Sequence, residues 1–162
     1  MKRNCLLFGL CILICGCAPH YKMQTPFVES EYQQYQQKGE STVKGQVFLR
    51  TVGGQVRYGA GIPVFLFPKT AYTTELANAS LKIGPEGSID NARTELIRVN
   101  RQTTADGEGH FEIKDIPNGD YYIFAKLVWG VWNGYGMVPT GGWIVSPVSV
   151  TKADTYNVVV TR

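Results

Sequence analysis

The sequence has no cysteine after Cys17; all four, Cys5, Cys11, Cys15 and Cys17, sit at its amino-terminal end. The body that follows therefore has neither a disulfide nor a thiolate metal site and must be held by its apolar core. Histidine is scarce too. His20 and His110 are the two in 162 residues, and neither stands in the HxxE-plus-His arrangement of a catalytic zinc site. No Ser/His/Asp arrangement for nucleophilic catalysis is legible either. Charged residues are 18% of the chain, and from 127 to 151 there is not one. No apolar run reaches the roughly 20 residues a membrane-spanning helix needs, and no segment repeats.

The amino-terminal end does carry a pattern. Lys2 and Arg3 make a short basic start, residues 5–14 are uncharged and mostly apolar, and Ile14-Cys15-Gly16-Cys17 closes the run with small residues before a cysteine. This resembles a bacterial lipoprotein signal with its lipobox. The resemblance implies a signal peptide at 1–16 and a diacylglycerol thioether on Cys17, whose thiolate is nucleophilic enough to accept it. Two or three acyl chains hold a protein stably at a bilayer where one holds marginally, so the mature protein is expected to be membrane-anchored through Cys17. Ala18 stands where an aspartate would signal inner-membrane retention, so the expected address is the outer membrane, facing the periplasm. Loss of Lys2 and Arg3 takes the basic count from 16 to 14 against 13 acidic residues. That balance implies neither nucleic acid nor an anionic substrate.

Residues 18–41 are polar and glutamine-rich with few aliphatic side chains, which reads as a flexible tether continuing the lipidated amino terminus at 17. As a coil, its 24 residues would reach about 25 to 30 Å.

From 42 to 162 the pattern is that of strands. Val43, Gly45, Val47 and Leu49 alternate with Lys44, Gln46, Phe48 and Arg50. Residues 62–67 have no polar face, so both sides of that strand should be covered. The organising stretch is 101–129. Asp106-Gly107 with Gly109 predicts a tight hairpin turn, residues 110–113 alternate, Pro117-Asn118-Gly119 turns the chain again, and Tyr121, Ile123, Ala125 and Leu127 share one face of the next strand. Strands over about 143–150 and 156–161 complete the set. Phe48, Phe65, Phe67, Tyr122 and Phe124 are expected together on a side away from the main core. Residues 72–97 exceed what a strand connection needs. Thr73 or Thr74 can cap a helix with Glu75 in its first turn, and Leu76, Ala79 and Ile83 recur at helical spacing before Gly84-Pro85. This insertion is expected to cover the outer aromatic face of one sheet.

Two motifs in this region carry a resemblance. Thr104-x-Asp106-Gly107-x-Gly109-x-Phe111 with Ile116-Pro117-x-Gly119-x-Tyr121, and upstream Gly45-x-Val47 with Ala60-Gly61-Ile62-Pro63-Val64-x-Leu66-x-Pro68, are similar to the carboxypeptidase regulatory-like family. The resemblance implies an all-β, seven-stranded transthyretin-like or immunoglobulin-like sandwich, here with a short partly helical insertion. It points to the family's accessory domain and implies no catalytic residues. The hydroxyisourate hydrolases of the transthyretin-like fold end in a Tyr-Arg-Gly-Ser signature that residues 156–162 lack.

Function is best sought in residues 129–143, which hold all three tryptophans and five glycines. The segment reads as a loop, and aromatic side chains on glycine-rich loops offer large amphipathic contact area. Trp129, Trp132, Tyr135 and Trp143 are the candidate binding residues, with Trp129 and Trp143 alternatively ending strands and packing on the rim. The expected role is noncatalytic: the sandwich binds or stabilises another envelope component, a protein partner being the first reading. A small-ligand or glycan-binding module that stacks its ligand on Trp132 and Tyr135 is the alternative. No cofactor is expected. Asp106, Glu108, Asp115 and Asp120 gather near the turns, but their spacing fits no EF-hand, and aspartate in turns generally serves the backbone.

Overall fold

The computed structural model describes residues 18–162; the segment 1–16 expected to be a signal peptide and Cys17, the expected lipidation site, lie outside the described residues. Among those described, no helix is long and apolar enough to cross a membrane. In chain order the elements are β1 (His20–Lys22), a 3-10 segment (Glu29–Tyr35), β2 (Ser41–Arg50), β3 (Val56–Tyr58), β4 (Pro63–Pro68), α1 (Ala71–Lys82), β5 (Ser88–Asp90), α2 (Leu96–Val99), β6 (Arg101–Thr104), β7 (His110–Ile116), β8 (Gly119–Trp132), β9 (Met137–Val150) and β10 (Thr155–Val160).

Two sheets face each other. One runs β6-β4-β8-β9 and is antiparallel throughout. The other is built on β2, which pairs in parallel with β10, and antiparallel with β7 along residues 41–46 and with β3 along 48–50. The seven strands foreseen in the sequence are β2, β4, β6, β7, β8, β9 and β10, so the fold is an all-β sandwich. Period-two alternation dictates what fills it: Val43 and Val47 of β2 meet Val64, Leu66, Ile123 and Ile144 from the facing sheet, all essentially inaccessible to solvent. Each such side chain contributes roughly 1.5–3 kcal/mol on burial.

The tight turn expected at Asp106-Gly107 is closed, with Asp106 N donating to His110 O at 2.8 Å and Gly109 N to Asp106 O at 3.1 Å, but the strands on either side of it do not pair with each other as a hairpin. Strand β6 pairs with β4 and β7 pairs with β2, so the turn carries the chain from one sheet to the other. The backbone bonds around it show the switch. Ala105 N donates to Ile62 O, whereas four residues later Gly109 O accepts from Val47 N. The left-handed residue is Gly109, at φ +81°, and not Gly107. Alternation fixes which face a residue takes but leaves its partner strand open. The turn at Pro117 likewise crosses between sheets, and Tyr121 Oη closes it by donating to Pro117 O at 2.7 Å, as in a tyrosine corner.

The insertion covers an aromatic face as expected. Tyr72, Leu76 and Ala77 of α1 and Leu96 and Val99 of α2 pack over Phe67 and Phe124, whose rings meet edge-on at 5.2 Å. Phe48 is not among them; it lies on β2 in the other sheet, against Tyr58. The helix cap is also not Thr73 or Thr74. Thr70 Oγ1 accepts from Thr73 N, and Thr73 Oγ1 accepts from Thr70 N at 2.8 Å, a reciprocal cap that starts the helix at Ala71.

Residues 18–41 are not the flexible tether that their composition predicted. Strand β1 pairs in parallel with β5. Tyr32 is fully buried, stacks on Phe27 at 4.7 Å, and shares a 2.8 Å hydrogen bond with Thr70 Oγ1. Tyr35 lies edge-on to Tyr121 at 5.2 Å. It fills space that a Cβ on Gly119, 2.4 Å from its ring, would occupy. Glu75 fastens the strand end, accepting from Tyr21 Oη, Gln24 N and Thr25 N. The physical reason is that few aliphatics does not mean little apolar area: Tyr21, Phe27, Tyr32 and Tyr35 supply it as rings, and the aromatic face receives them.

Candidate functional site: an uncharged aromatic hairpin tip

The site grows out of the β8/β9 hairpin. The two strands pair over consecutive positions from Gly119↔Val150 to Trp132↔Met137, whereas β4 supports β8 only along 121–125. Beyond that stretch the hairpin continues as a two-stranded arm. Gly130 and Pro139 sit opposite each other inside it, and residues of this kind made 129–143 read as a loop. The loop proper is the turn 133–136. Its geometry is fixed internally: Asn133 Oδ1 accepts from Tyr135 N at 2.9 Å and Gly136 N at 3.0 Å, and Asn133 N donates to Gly136 O. Gly134, at φ +96°, supplies the left-handed residue the turn requires.

The four candidate residues separate into two kinds. Trp132 is 65% exposed and Tyr135 98% exposed, both at the tip. Trp129 is half-buried against the inter-sheet core. Trp143 lies on the opposite face, edge-on to Phe124 at 6.3 Å, with Lys126 Nζ 5.7 Å from its ring. The structure therefore brings Trp132 and Tyr135 to one projecting end and places Trp129 and Trp143 elsewhere as packing residues. Sequence reasoning missed Met137, opposite Trp132 in register and 65% exposed, and the exposed Val131↔Val138 pair of the adjoining position. The signal that could have found them is alternation continuing through the glycines.

The tip offers flat apolar rings with a polar edge, held on a hydrogen-bonded turn. No carboxylate, histidine or cation lies on the chain from 127 to 151. The two histidines sit in other elements: His20 Nδ1 is 2.8 Å from Ser88 Oγ, and His110 is beside Asp106. The acidic residues at the turns are engaged with the chain. Asp106 Oδ1 accepts from the backbone N–H of His110 and of Glu108, and these bonds hold its carboxyl below the usual range. Asp115 pairs with Lys38, and Asp120 accepts from Ser149 Oγ. Among the described residues no group of three or more potential ligands could hold a metal ion.

No protein-family model and no curated protein matches the chain. Among solved structures, the crystal structure of a candidate carbohydrate-binding protein from Pseudomonas aeruginosa is similar, at 28% identity and a TM-score of 0.74 over 85% of this chain and 99% of that one. A 9R-lipoxygenase from Cyanothece aligns over 86% of this chain and 18% of its own, with 10% identity and a TM-score of 0.30, too weak a likeness to bear on function.

Proposed function

We propose that the protein is a noncatalytic module of the cell envelope that binds a neutral carbohydrate at the hairpin tip, with Trp132 and Tyr135 as its stacking surfaces. The observation that carries this reading is the exposure of both rings on an internally hydrogen-bonded turn, in a stretch without charge. A sugar ring has an apolar C–H face bordered by hydroxyls. It suits an aromatic plane with a polar edge, where one side is desolvated and the rim stays in water. The chain from 127 to 151 carries no charge. The cations that flank the arm, Arg50 and Arg162, line a hollow with Trp129, Val131 and Gly141 and not with Trp132 or Tyr135, which favours a neutral glycan at the tip. Glycoside cleavage draws on a pair of carboxylates about 5–9.5 Å apart across the bond, and the arm carries none. The similar Pseudomonas aeruginosa protein, a candidate carbohydrate binder, supports the same ligand class.

The lipid anchor belongs to this proposal. With β1 docked from His20, only Ala18 and Pro19 separate Cys17 from the folded body, three Cα steps in all. That is roughly 10 Å of chain, so the body would sit close against the bilayer instead of ranging on a tether. The envelope component it engages is then a glycan within reach of the outer membrane. A protein partner at the same tip is the second reading, favoured by the exposed Val131 and Val138, which sugar stacking on Trp132 would leave uncovered.

The test is a tryptophan-fluorescence titration of the full chain with chitotetraose and maltotetraose. Saturable quenching by at least one, abolished in Trp132→Ala and weakened tenfold or more in Tyr135→Ala with circular dichroism unchanged, is the expected result. Equal quenching in Trp132→Ala, or no saturable response to either sugar, would overturn the carbohydrate reading.

A further inference from the structure

A cavity of about 410 Å³ opens between the insertion and the outer face of the β4-β8-β9 sheet, within the range of small-molecule sites. It is distinct from the hairpin tip. Phe65, Phe124 and Trp143 form its floor, Leu76 and Ile83 of the α1 end form a wall, and α2 contributes Leu96. Lys126 lines it too. This lysine is half-buried, lies against the face of Trp143, and makes no ion pair among the described residues; Lys22, Lys69 and Lys82 make none either, but Lys126 is the lysine that lines this cavity. An aromatic and aliphatic cavity beside one uncompensated cation selects for a particular chemistry. A hydroxyl-rich sugar would surrender its water to walls that can replace few of its hydrogen bonds. A hydrocarbon chain loses nothing there, and a single anionic head satisfies the lysine.

We propose that this cavity is a second binding site, for a free medium-chain carboxylate, with the alkyl chain over Phe65 and Phe124 and the carboxylate against Lys126. The ammonium stays partly solvated at the mouth, so the head need not be fully desolvated, and the gain from charge pairing is kept. The site is independent of the carbohydrate reading: neither Trp132 nor Tyr135 lines it.

Isothermal titration calorimetry of the full chain with decanoate, below its micellar concentration, and with decanol tests it. Decanoate should bind one to one and at least tenfold more tightly than decanol. Lys126→Met should bring decanoate down to the level of decanol while leaving decanol unchanged. Ala92→Trp, at an exposed position lining the cavity, should block both ligands, and Trp132→Ala should affect neither. Absence of saturable heat, equal affinity for acid and alcohol, or wild-type decanoate binding in Lys126→Met or Ala92→Trp would each overturn the assignment. Decanoate binding that appears only after Cys17→Ser would do so too, because it would make the chain's own acyl group the occupant.

Discussion

Replacing Glu75 with alanine should release residues 21–25 from the body while the sandwich stays folded. The carboxylate accepts three hydrogen bonds from that segment, at 2.7 Å from Gln24 N, 2.6 Å from Thr25 N and 2.9 Å from Tyr21 Oη. A hydrogen bond to a charged group contributes about 1.5–3 kcal/mol when well buried; here the carboxylate is partly solvated and the three bonds act as one clamp, so about 2–3 kcal/mol for the whole is the appropriate scale. Partial burial pushes the Glu75 carboxyl up, but the Thr25, Gln24 and Tyr21 donors outweigh it and hold the pKa at about 2 against an ordinary 4.5. A depressed carboxylate stabilises above its unfolded value and ceases to do so as pH falls through its folded value. The clamp should therefore be complete above about pH 4.5 and lost towards pH 2. Hydrogen exchange at the Gln24 and Thr25 amides reads this directly: 2–3 kcal/mol corresponds to exchange about 30- to 150-fold faster in Glu75→Ala at pH 6. Unchanged protection in the variant, or in the wild type on going from pH 6 to pH 2 after correction for intrinsic rates, would refute the clamp.

Two further substitutions probe the packing. Tyr32→Ala removes a fully buried ring with its Phe27 stack and its Thr70 hydrogen bond and should cost about 3–5 kcal/mol; a denaturant midpoint equal to wild type would mean the segment does not pack on the body. Tyr121→Phe leaves Pro117 O without its donor at the crossing between sheets and should lower stability by about 1–3 kcal/mol, read as a fall in Tm with no change of fold by circular dichroism.

The seven strands and the covered aromatic face were readable because alternation and apolar runs report burial, and burial is what the sequence encodes most plainly. Pairing was not readable in the same way. The turn at Asp106 has the composition of a hairpin, yet the neighbouring strands find their partners across the sandwich, because edges of β4 and β2 were both open to them. The docked amino-terminal segment was hidden by its glutamines, which diluted four rings that carry the apolar area. In the arm, Gly130 and Pro139 interrupted the strand pattern, so fifteen residues read as a loop when all but the turn at 133–136 are paired. Trp132 and Tyr135 were legible as exposed aromatics because no charge surrounds them, whereas Trp129 and Trp143 share that setting and pack inward. Only the register separates the two kinds.

Binding at the hairpin tip is tested most directly by amide chemical-shift mapping of the full chain during titration with a neutral oligosaccharide that quenches its fluorescence. Saturating shifts confined to residues 130–138, with the amides around Phe65, Leu76 and Leu96 unmoved, are expected. Shifts centred on the insertion, or none along the arm at saturation, would contradict the assignment.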